Sequence, residues 1–553
     1  MLISVDIEQK SIGNTPLFKG LRLHVGDREK IAIIGRNGVG KTTLFRMLVG
    51  EDTDYAGHIV FRTHARIVAT RQEHHDVLGQ TVIEYILANL PEYAELHHII
   101  ETYPETMGDN IKAIGRYSEA LERFQTLDYY TIEDRVRRSL EAYQLQDAAD
   151  RPMSSLSGGQ KRFVELIRVE HSAADVALID EPTNHMDYVA KQAFLEWFRA
   201  TKHAVVVITH DRDLLQDVER IVEIKDAAAH TFNGNYDAYL LQNATRTAAD
   251  LNEYDTIQRR IENVKKQIQS ARAKKARWGG TADKKNPFVV IENKLNKELA
   301  ELELQDKPSF WIDKESIEGM RPNLEASYQK HKAKTIRIRR LTAEERPREL
   351  LVLDSVQAGY RHPLFEPLSL RLQTGERLRI VGRNGVGKTT LVKTIIRSSD
   401  EAHPATLLKG SIKLDQQLRL NTYEQEIDPL LLELTLGAAI EHIYRDFDLQ
   451  ITQEQIMRIL SDYLFDPYGD REHPVANLSG GQKARLQLIR LFANEPNMVI
   501  LDEPTNHLDL PSIEELEEAL SQYRGTLVYI SHDSYLAKHV GGQELTITPL
   551  TPQ

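Results

Sequence analysis

The chain has 553 residues, 70 Lys and Arg against 82 Asp and Glu, a net charge of −12, 41% hydrophobic and 27% charged residues, and no cysteine. That composition fits several globular domains, each with its own core. The acidic balance argues against a protein that coats nucleic acid with its whole surface, while a local basic patch stays open. Lack of cysteine excludes disulfides, thiolate zinc sites, cysteine-ligated iron–sulfur clusters and cysteine nucleophiles.

Met1 to Lys10 alternates apolar and charged residues and lacks the apolar core of a signal peptide. Lys30 to Ile34 reads as a buried strand running into Gly35-Arg-Asn-Gly-Val-Gly-Lys-Thr-Thr43, with a helix starting at Lys41. Leu156-Ser-Gly-Gly-Gln-Lys161 opens a second helix, whose apolar spacing continues over 161–169. A strand at Val176 to Ile179 ends in Asp180-Glu-Pro-Thr-Asn-His185, and another at Ala204 to Thr209 ends in His210-Asp211.

After residues 243–345 the same order returns. It runs through a strand at Arg377 to Val381, Gly382–Thr390, Leu478–Lys483, a strand at Met498 to Leu501, Asp502–His507, a strand at Thr526 to Ser531, and His532-Asp533. The chain is therefore an internal duplication. Lys41 and Lys388 are 347 apart, whereas Ser157 and Ser479, Asp180 and Asp502, and His210 and His532 are each 322 apart. The first copy thus holds 25 extra residues, inserted somewhere in 75–150. Short apolar strands alternating with helices predict an α/β fold with mostly parallel sheets. The most apolar stretches, such as 204–209, are too short to span a bilayer, so a cytoplasmic chain without a membrane segment is expected.

The first motif, GxxxxGK[ST], wraps phosphate with backbone N–H groups at a helix N-terminus, its glycines permitting the curvature. It assigns ATP to Gly35, Asn37, Gly38, Gly40, Lys41, Thr42 and Thr43, and in the second copy to Gly382, Asn384, Gly385, Gly387, Lys388, Thr389 and Thr390. Lys41 and Lys388 are expected on the β- and γ-phosphates, and Thr42 and Thr389 on Mg²⁺. Asp180 and Asp502, at strand ends, are expected beside Mg²⁺, with Glu181 and Glu503 as general bases for the attacking water. His210 and His532 are expected near the γ-phosphate or that water. A serine N-cap followed by glycines, at Ser157-Gly158-Gly159 and Ser479-Gly480-Gly481, makes a second anion cradle. Such a cradle makes sense only against the nucleotide of the other copy.

Residues 243–345 belong to neither copy. Tyr254, Ile257, Ile261, Val264 and Ile268 recur at spacings of three and four, predicting a helix over about 245–277. Trp278-Gly279-Gly280 breaks it, and Ile291, Leu295, Leu299 and Leu302 form the stripe of a returning helix. The expected element is a helical hairpin, an antiparallel coiled coil. Between Arg259 and Lys285 stand ten Lys and Arg against two acids, Glu262 and Asp283, a basic tip suited to a polyanion. Trp278 and Phe288 flank that tip, where an aromatic can stack on a base.

This set of motifs, in this order and twice, resembles the ATP-binding cassette superfamily: Walker A, signature, Walker B, D-loop and switch histidine. The resemblance implies two tandem P-loop NTPase domains, residues 1–242 and 346–553, joined by the 243–345 linker, with a helical arm within about 75–150. It implies a monomer whose two cassettes pair head to tail and hydrolyse ATP. Ser157–Gly159 would then cap the nucleotide at Lys388, and Ser479–Gly481 the one at Lys41. Asp187 and Asp509 match the D-loop. Gln72 and Gln425 match the Q-loop and join the ATP and Mg²⁺ sets. Tyr360 is the candidate for the family's adenine-stacking aromatic, and the first copy has Ile12 there.

Two cassettes on one chain, no membrane segment, a hairpin linker, an inserted arm, and Asn184–Asp187 with Asn506–Asp509 after Walker B resemble the ABC-F proteins. That implies a ribosome-binding ATPase acting in the tRNA exit site, with linker and arm on ribosomal RNA and tRNA. ATP binding and hydrolysis would set its residence there, in a housekeeping translation factor or in ribosome-protecting antibiotic resistance. The alternatives are an energy subunit of a membrane transporter and a DNA-repair or chromosome cassette ATPase.

Overall fold

Runs of β-branched and aliphatic residues set the centre of each repeat. Val176–Ile179 and Ala204–Ile208, with Met498–Leu501 and Thr526–Ile530 in the second repeat, are fully buried, as strands covered on both faces must be. These observations come from a computed structural model that describes residues 1–13, 15–71, 79–106, 108, 110–184, 186–277, 287–303, 336–338, 348–360, 362–397, 407–424, 427–506 and 508–550.

In the first repeat six strands lie in the order Ile67–Ala69, Val176–Asp180, Ala204–Ile208, Lys30–Gly35, Arg220–Lys225, Ala228–Asn233. All pairs are parallel except the last. In the second, five parallel strands run Leu420–Tyr423, Met498–Asp502, Thr526–Ile530, Arg377–Val381, Gln543–Thr546. Each repeat adds a three-stranded antiparallel sheet, centred on Ile3–Ile12 and on Glu349–Ala358. The helix Lys41–Val49 packs Leu44, Phe45 and Leu48 into the core shared by the two sheets of the first repeat.

Register decides where the chemistry lands. Ile208 stands opposite both Ile33 and Asp180, so three neighbouring strands end level. The residues that follow them, in the Gly-rich loop, at Glu181 and at His210, therefore emerge at one carboxyl edge, the usual place for a ligand in a parallel sheet.

The extra residues of the first repeat form the helices Tyr93–Thr106 and Ile111–Thr126, between Val82–Ala88 and Ile132–Ala142. Tyr93 joins them by packing against Phe124 and Tyr129, at centroid distances of 5.8 and 5.4 Å. The second repeat goes directly from Leu436–Asp446 to Gln453–Asp462.

The chain divides into two units, residues 1–235 with 335–553, and 236–334. In the smaller one a 42-residue helix, Tyr236–Arg277, is about 63 Å long at 1.5 Å per residue, and starts upstream of the expected 245. Its partner, Pro287–Glu303, runs antiparallel, with Arg260 paired to Glu298 at 2.5 Å and Arg272 to Glu292 at 2.8 Å. Ile261, Val264 and Ile268 are buried as expected, but Ile291 is 47% exposed and Glu292 takes the buried place. Arg272 and Lys275 neutralise that carboxylate at 2.8 Å each, so an ion-paired glutamate replaces the first apolar residue of the expected stripe. The chain rejoins the second repeat before 346: Ile336 is part of its core, and Arg337 N–H donates to the Asp462 carbonyl at 3.0 Å. Among the described residues no helix is long and apolar enough to cross a membrane.

Candidate active site

The Gly-rich loops are built where only glycine fits. A Cβ on Gly35 (φ 147°) would stand 2.6 Å from the Ile224 carbonyl oxygen, and one on Gly40 (φ 103°) 2.7 Å from Leu17. At Gly387, also at φ 103°, Phe365 would lie 2.9 Å away. Lys41 Nζ donates to the carbonyls of Gly35 (2.6 Å) and Arg36 (3.2 Å), and Lys388 Nζ to those of Gly382 (2.8 Å) and Arg383 (3.2 Å). Burial holds both ammonium groups below the usual lysine pKa, against the pull of Glu181 and Glu503. A desolvated cation inside a ring of backbone is a strong anion site. Thr42 Oγ1 donates to Asp180 Oδ2 at 3.2 Å, and Thr389 and Asp502 line one cavity together with residues of both repeats. Hydroxyl and carboxylate oxygens are the donor set of a hard divalent cation, so these residues fit Mg²⁺. Thr43 and Thr390 follow on the first turn of each helix. Gln72 and Gln425 lie outside the described residues.

Glu181 and Glu503 come directly after their strands at φ 47° and 46°. Left-handed backbone at a non-glycine costs about 1–3 kcal/mol and persists only where its surroundings hold it. Their N–H groups donate to Ile208 (2.8 Å) and Ile530 (2.9 Å) in the neighbouring strand. His210 Nε2 is 3.5 Å from Glu181 Oε1, and His532 Nε2 is 3.2 Å from Glu503 Oε1. Burial pushes the carboxyls up, to about 8 for Glu181 and about 7 for Glu503, with Lys41 and Lys388 opposing. Burial, and then the same lysines, push His210 down to about 3 and His532 to about 4. Both imidazoles are therefore neutral near pH 7, beside carboxyls tuned toward it.

Each D-loop aspartate reaches into the other repeat. Asp187 caps the helix Tyr188–Ala200, and its Oδ2 accepts the N–H of Asn384 at 2.7 Å. Asp509 caps Leu510–Gln522 and accepts the N–H of Asn37 at 3.0 Å. A cavity of about 1160 Å³ is lined by Ser157 and Gly159 from the first repeat and by Asn384, Gly385, Lys388, Glu503, His532 and Tyr360 from the second. On the opposite side a Cβ on Gly480 would stand 3.2 Å from Asn37 Nδ2, so the second signature meets the first Gly-rich loop. Tyr360 is 74% exposed at the cavity, and Ile12 is 59% exposed.

The signature helices are Gly158–His171 and Gly480–Phe492. Ser157 and Ser479 are N-caps in capping boxes, their hydroxyls accepting from the N–H of Gln160 and Gln482. Each cap leaves the serine O–H hydrogen free to donate, so Ser157 and Ser479 stay beside Gly158, Gly159, Gly480 and Gly481 in the expected cradle.

Sequence reasoning passed over the side chains that hold these parts. Arg162 Nη2 donates to the carbonyls of Asp180 and Glu181. Gln144 Nε2 donates to Asp187 Oδ2 at 2.7 Å. Arg212 pairs with Glu517 across the repeats at 3.0 Å, 2% and 5% exposed. A signal existed in the 322 offset, which aligns Arg162 with Ala484, Arg212 with Ser534, and Leu195 with Glu517.

A family model described as ABC transporter matches residues 18–184 and 365–506, more than half of the chain, and a second of the same description matches 222–285. "Probable ATP-binding protein YheS" of Haemophilus influenzae is 29% identical over 536 residues, 95% of this chain and 76% of that one. "ABC transporter F family member 2" of Arabidopsis thaliana is 28% identical over 545 residues, 96% and 74% of the two chains. "Putative ATP-binding protein YdiF" of Bacillus subtilis is 29% identical over 557 residues, 99% and 80%. Among solved structures, "RNase-L Inhibitor" shares the fold at TM-score 0.56 and 16% identity, over 98% of this chain and 87% of that one. "Model of ribosome-bound archaeal Pelota and ABCE1" does so at TM-score 0.52 and 18% identity, over 98% and 78%. The chain is an ATP-binding ATP hydrolase, and it belongs to the ABC transporter family of ATP-binding cassette proteins, within its F group.

Proposed function

We propose that this chain is a ribosome-binding ATPase that uses ATP binding and hydrolysis to control its residence in the tRNA exit site and so modulates translation. The observation that carries the reading is the reciprocal pair of D-loop bonds, Asp187 to Asn384 and Asp509 to Asn37. They join the two cassettes through the loops that would hold nucleotide, so occupancy of those loops can govern closure. Support for the partner comes from the linker, where Lys265, Lys266, Lys274 and Arg277 are exposed along a long hairpin of an otherwise acidic chain. Such a lever suits the phosphate backbones of ribosomal RNA and tRNA. One protein of like fold is itself described as ribosome-bound.

In the Lys41 site Glu181 accepts a proton from a water as it attacks the γ-phosphorus. The bond to the β–γ bridging oxygen breaks, and ADP and phosphate leave. Glu503 does the same at Lys388. The neutral His210 and His532 hold the water or a γ-phosphate oxygen by one hydrogen bond. Ser157–Gly159 and Ser479–Gly481 close each site from the opposite cassette. Thr42 with Asp180, and Thr389 with Asp502, would hold Mg²⁺, joined by Gln72 and Gln425; bound there, the ion would neutralise charge on the phosphate oxygens.

The test is ribosome co-sedimentation with ATP, comparing wild type with Glu181→Gln/Glu503→Gln. ATP-dependent retention of the variant on ribosomes supports the reading. A variant that binds ATP yet sediments without ribosomes removes the ribosomal partner and leaves the ATPase.

A further inference from the structure

The two signatures match through Lys161 and Lys483 and then part, with Arg162 in the first and Ala484 in the second. Arg162 lies beneath the Walker B turn. One atom of its guanidinium, Nη2, donates to the Asp180 carbonyl and, at 2.7 Å, to the Glu181 carbonyl. Those carbonyls belong to the two peptide units that flank the Glu181 Cα, so one nitrogen restrains φ and ψ of that residue together. Glu181 is at φ 47° and Glu503 at φ 46°, a conformation that persists where its surroundings hold it. Both share the N–H bond to the neighbouring strand, and Glu181 has the guanidinium in addition. A desolvated cation on two carbonyls is a strong restraint, because its hydrogen bonds are charge-assisted. Ala484 carries no donor with which to do the same for Glu503.

We propose that Arg162 is a positioning residue of the Lys41 site, clamping Glu181 in the left-handed conformation that sets its carboxyl 3.5 Å from His210 Nε2, and that Ala484, its counterpart by position, plays no such part at the Lys388 site. This rests on Glu181 being the base at Lys41. Arg162 stands on the signature helix, five residues beyond Ser157, which lines the cavity around Lys388. The clamp therefore sits on the element that would cap the other nucleotide.

The experiment places Arg162→Ala in two backgrounds. In Glu503→Gln the remaining turnover comes from the Lys41 site, and in Glu181→Gln from the Lys388 site. In the first, kcat is expected to fall about 30-fold, equivalent to about 2 kcal/mol, with KM for ATP within about twofold. In the second, kcat stays within about twofold. Arg162→Lys, which keeps the cation without the planar fork, recovers part of the loss. Equal losses in both backgrounds, a loss in KM alone, or an unchanged kcat in the first background overturns the clamp. Thermal unfolding and binding of a fluorescent ATP analogue, run on both variants, identify a loss that comes from misfolding, and a fall in folded fraction that accounts for the rate also overturns it. If Glu181→Gln leaves turnover in the Glu503→Gln background untouched, the base assignment falls and the clamp falls with it.

Discussion

In the first cassette the signature helix carries Glu165, buried and held by the Tyr85 hydroxyl, by Arg71 N–H at 2.8 Å and by Arg168 at 2.8 Å. In the second, the matching position is Gln487, and Arg490 pairs instead with the exposed Glu424 at 2.7 Å. Thr81 and Thr435 cap equivalent helices and bridge to Pro152 and Pro474, so Ala439 stands where Tyr85 does. Between the cassettes, buried Arg212–Glu517 has Ser534 and Leu195 as its mirror positions, and Ser534 Oγ donates to Asp213 at 2.7 Å. The groups proposed to react are thus the same in both cassettes, and the groups that restrain them are not. Two copies of one chain would repeat every contact across a two-fold axis. A duplicated chain has each residue once, so one half can carry a clamp or an ion pair that the other lacks.

The largest effect should come from the shared part. Glu181→Gln/Glu503→Gln is expected to lower steady-state ATP turnover at least about 1000-fold, the scale of losing a general base, measured by phosphate release. An effect below about tenfold would mean that the duplicated glutamates are not the bases.

The unshared parts come next. Glu165→Ala leaves Arg168 buried without its carboxylate, so a loss of about 3–4 kcal/mol in urea unfolding is expected. Gln487→Ala should lose about 1 kcal/mol, and equal losses would dissolve the contrast. Arg212→Ala strands Glu517 at the interface. The ATP concentration that closes the double glutamine variant, followed by fluorescence transfer between labelled cassettes, should rise about 100-fold, or about 2.7 kcal/mol. Arg212→Met/Glu517→Leu should restore most of it, because a matched apolar pair leaves no charge behind. The smallest effect concerns adenine. Tyr360→Ala in Glu181→Gln should raise KM for ATP about fivefold, about 1 kcal/mol, the lower end of base stacking, while Ile12→Ala in Glu503→Gln changes it less than about twofold.

Local physics explains what could be read early. A phosphate-wrapping turn needs glycine where φ is positive and a Cβ would collide, as at Gly35 and Gly40. Fully buried strands need continuous apolar runs, as at 204–208. Both demands act on adjacent residues and leave a mark in the sequence, and the repetition of that mark located the two sites. The hairpin was less legible. Its stripe has the right period, but a helical face tolerates an ion-paired glutamate among apolar residues, and at the start of the returning helix Glu292 is buried and Ile291 exposed.

By itself, then, the sequence determined a duplicated α/β ATPase, the order of its motifs, the strand-end positions of Asp180, Glu181 and His210, and a helical excursion between the halves. Only the tertiary structure decided that Asp509 accepts from Asn37, 472 positions away in the chain, that Arg162 turns beneath Glu181, and that Arg212 meets Glu517 on one side alone. Motifs are written in neighbours, because backbone geometry and burial act over a few residues. Restraints across a fold depend on where a long side chain comes to rest, which is set by packing between distant segments and leaves no periodic trace.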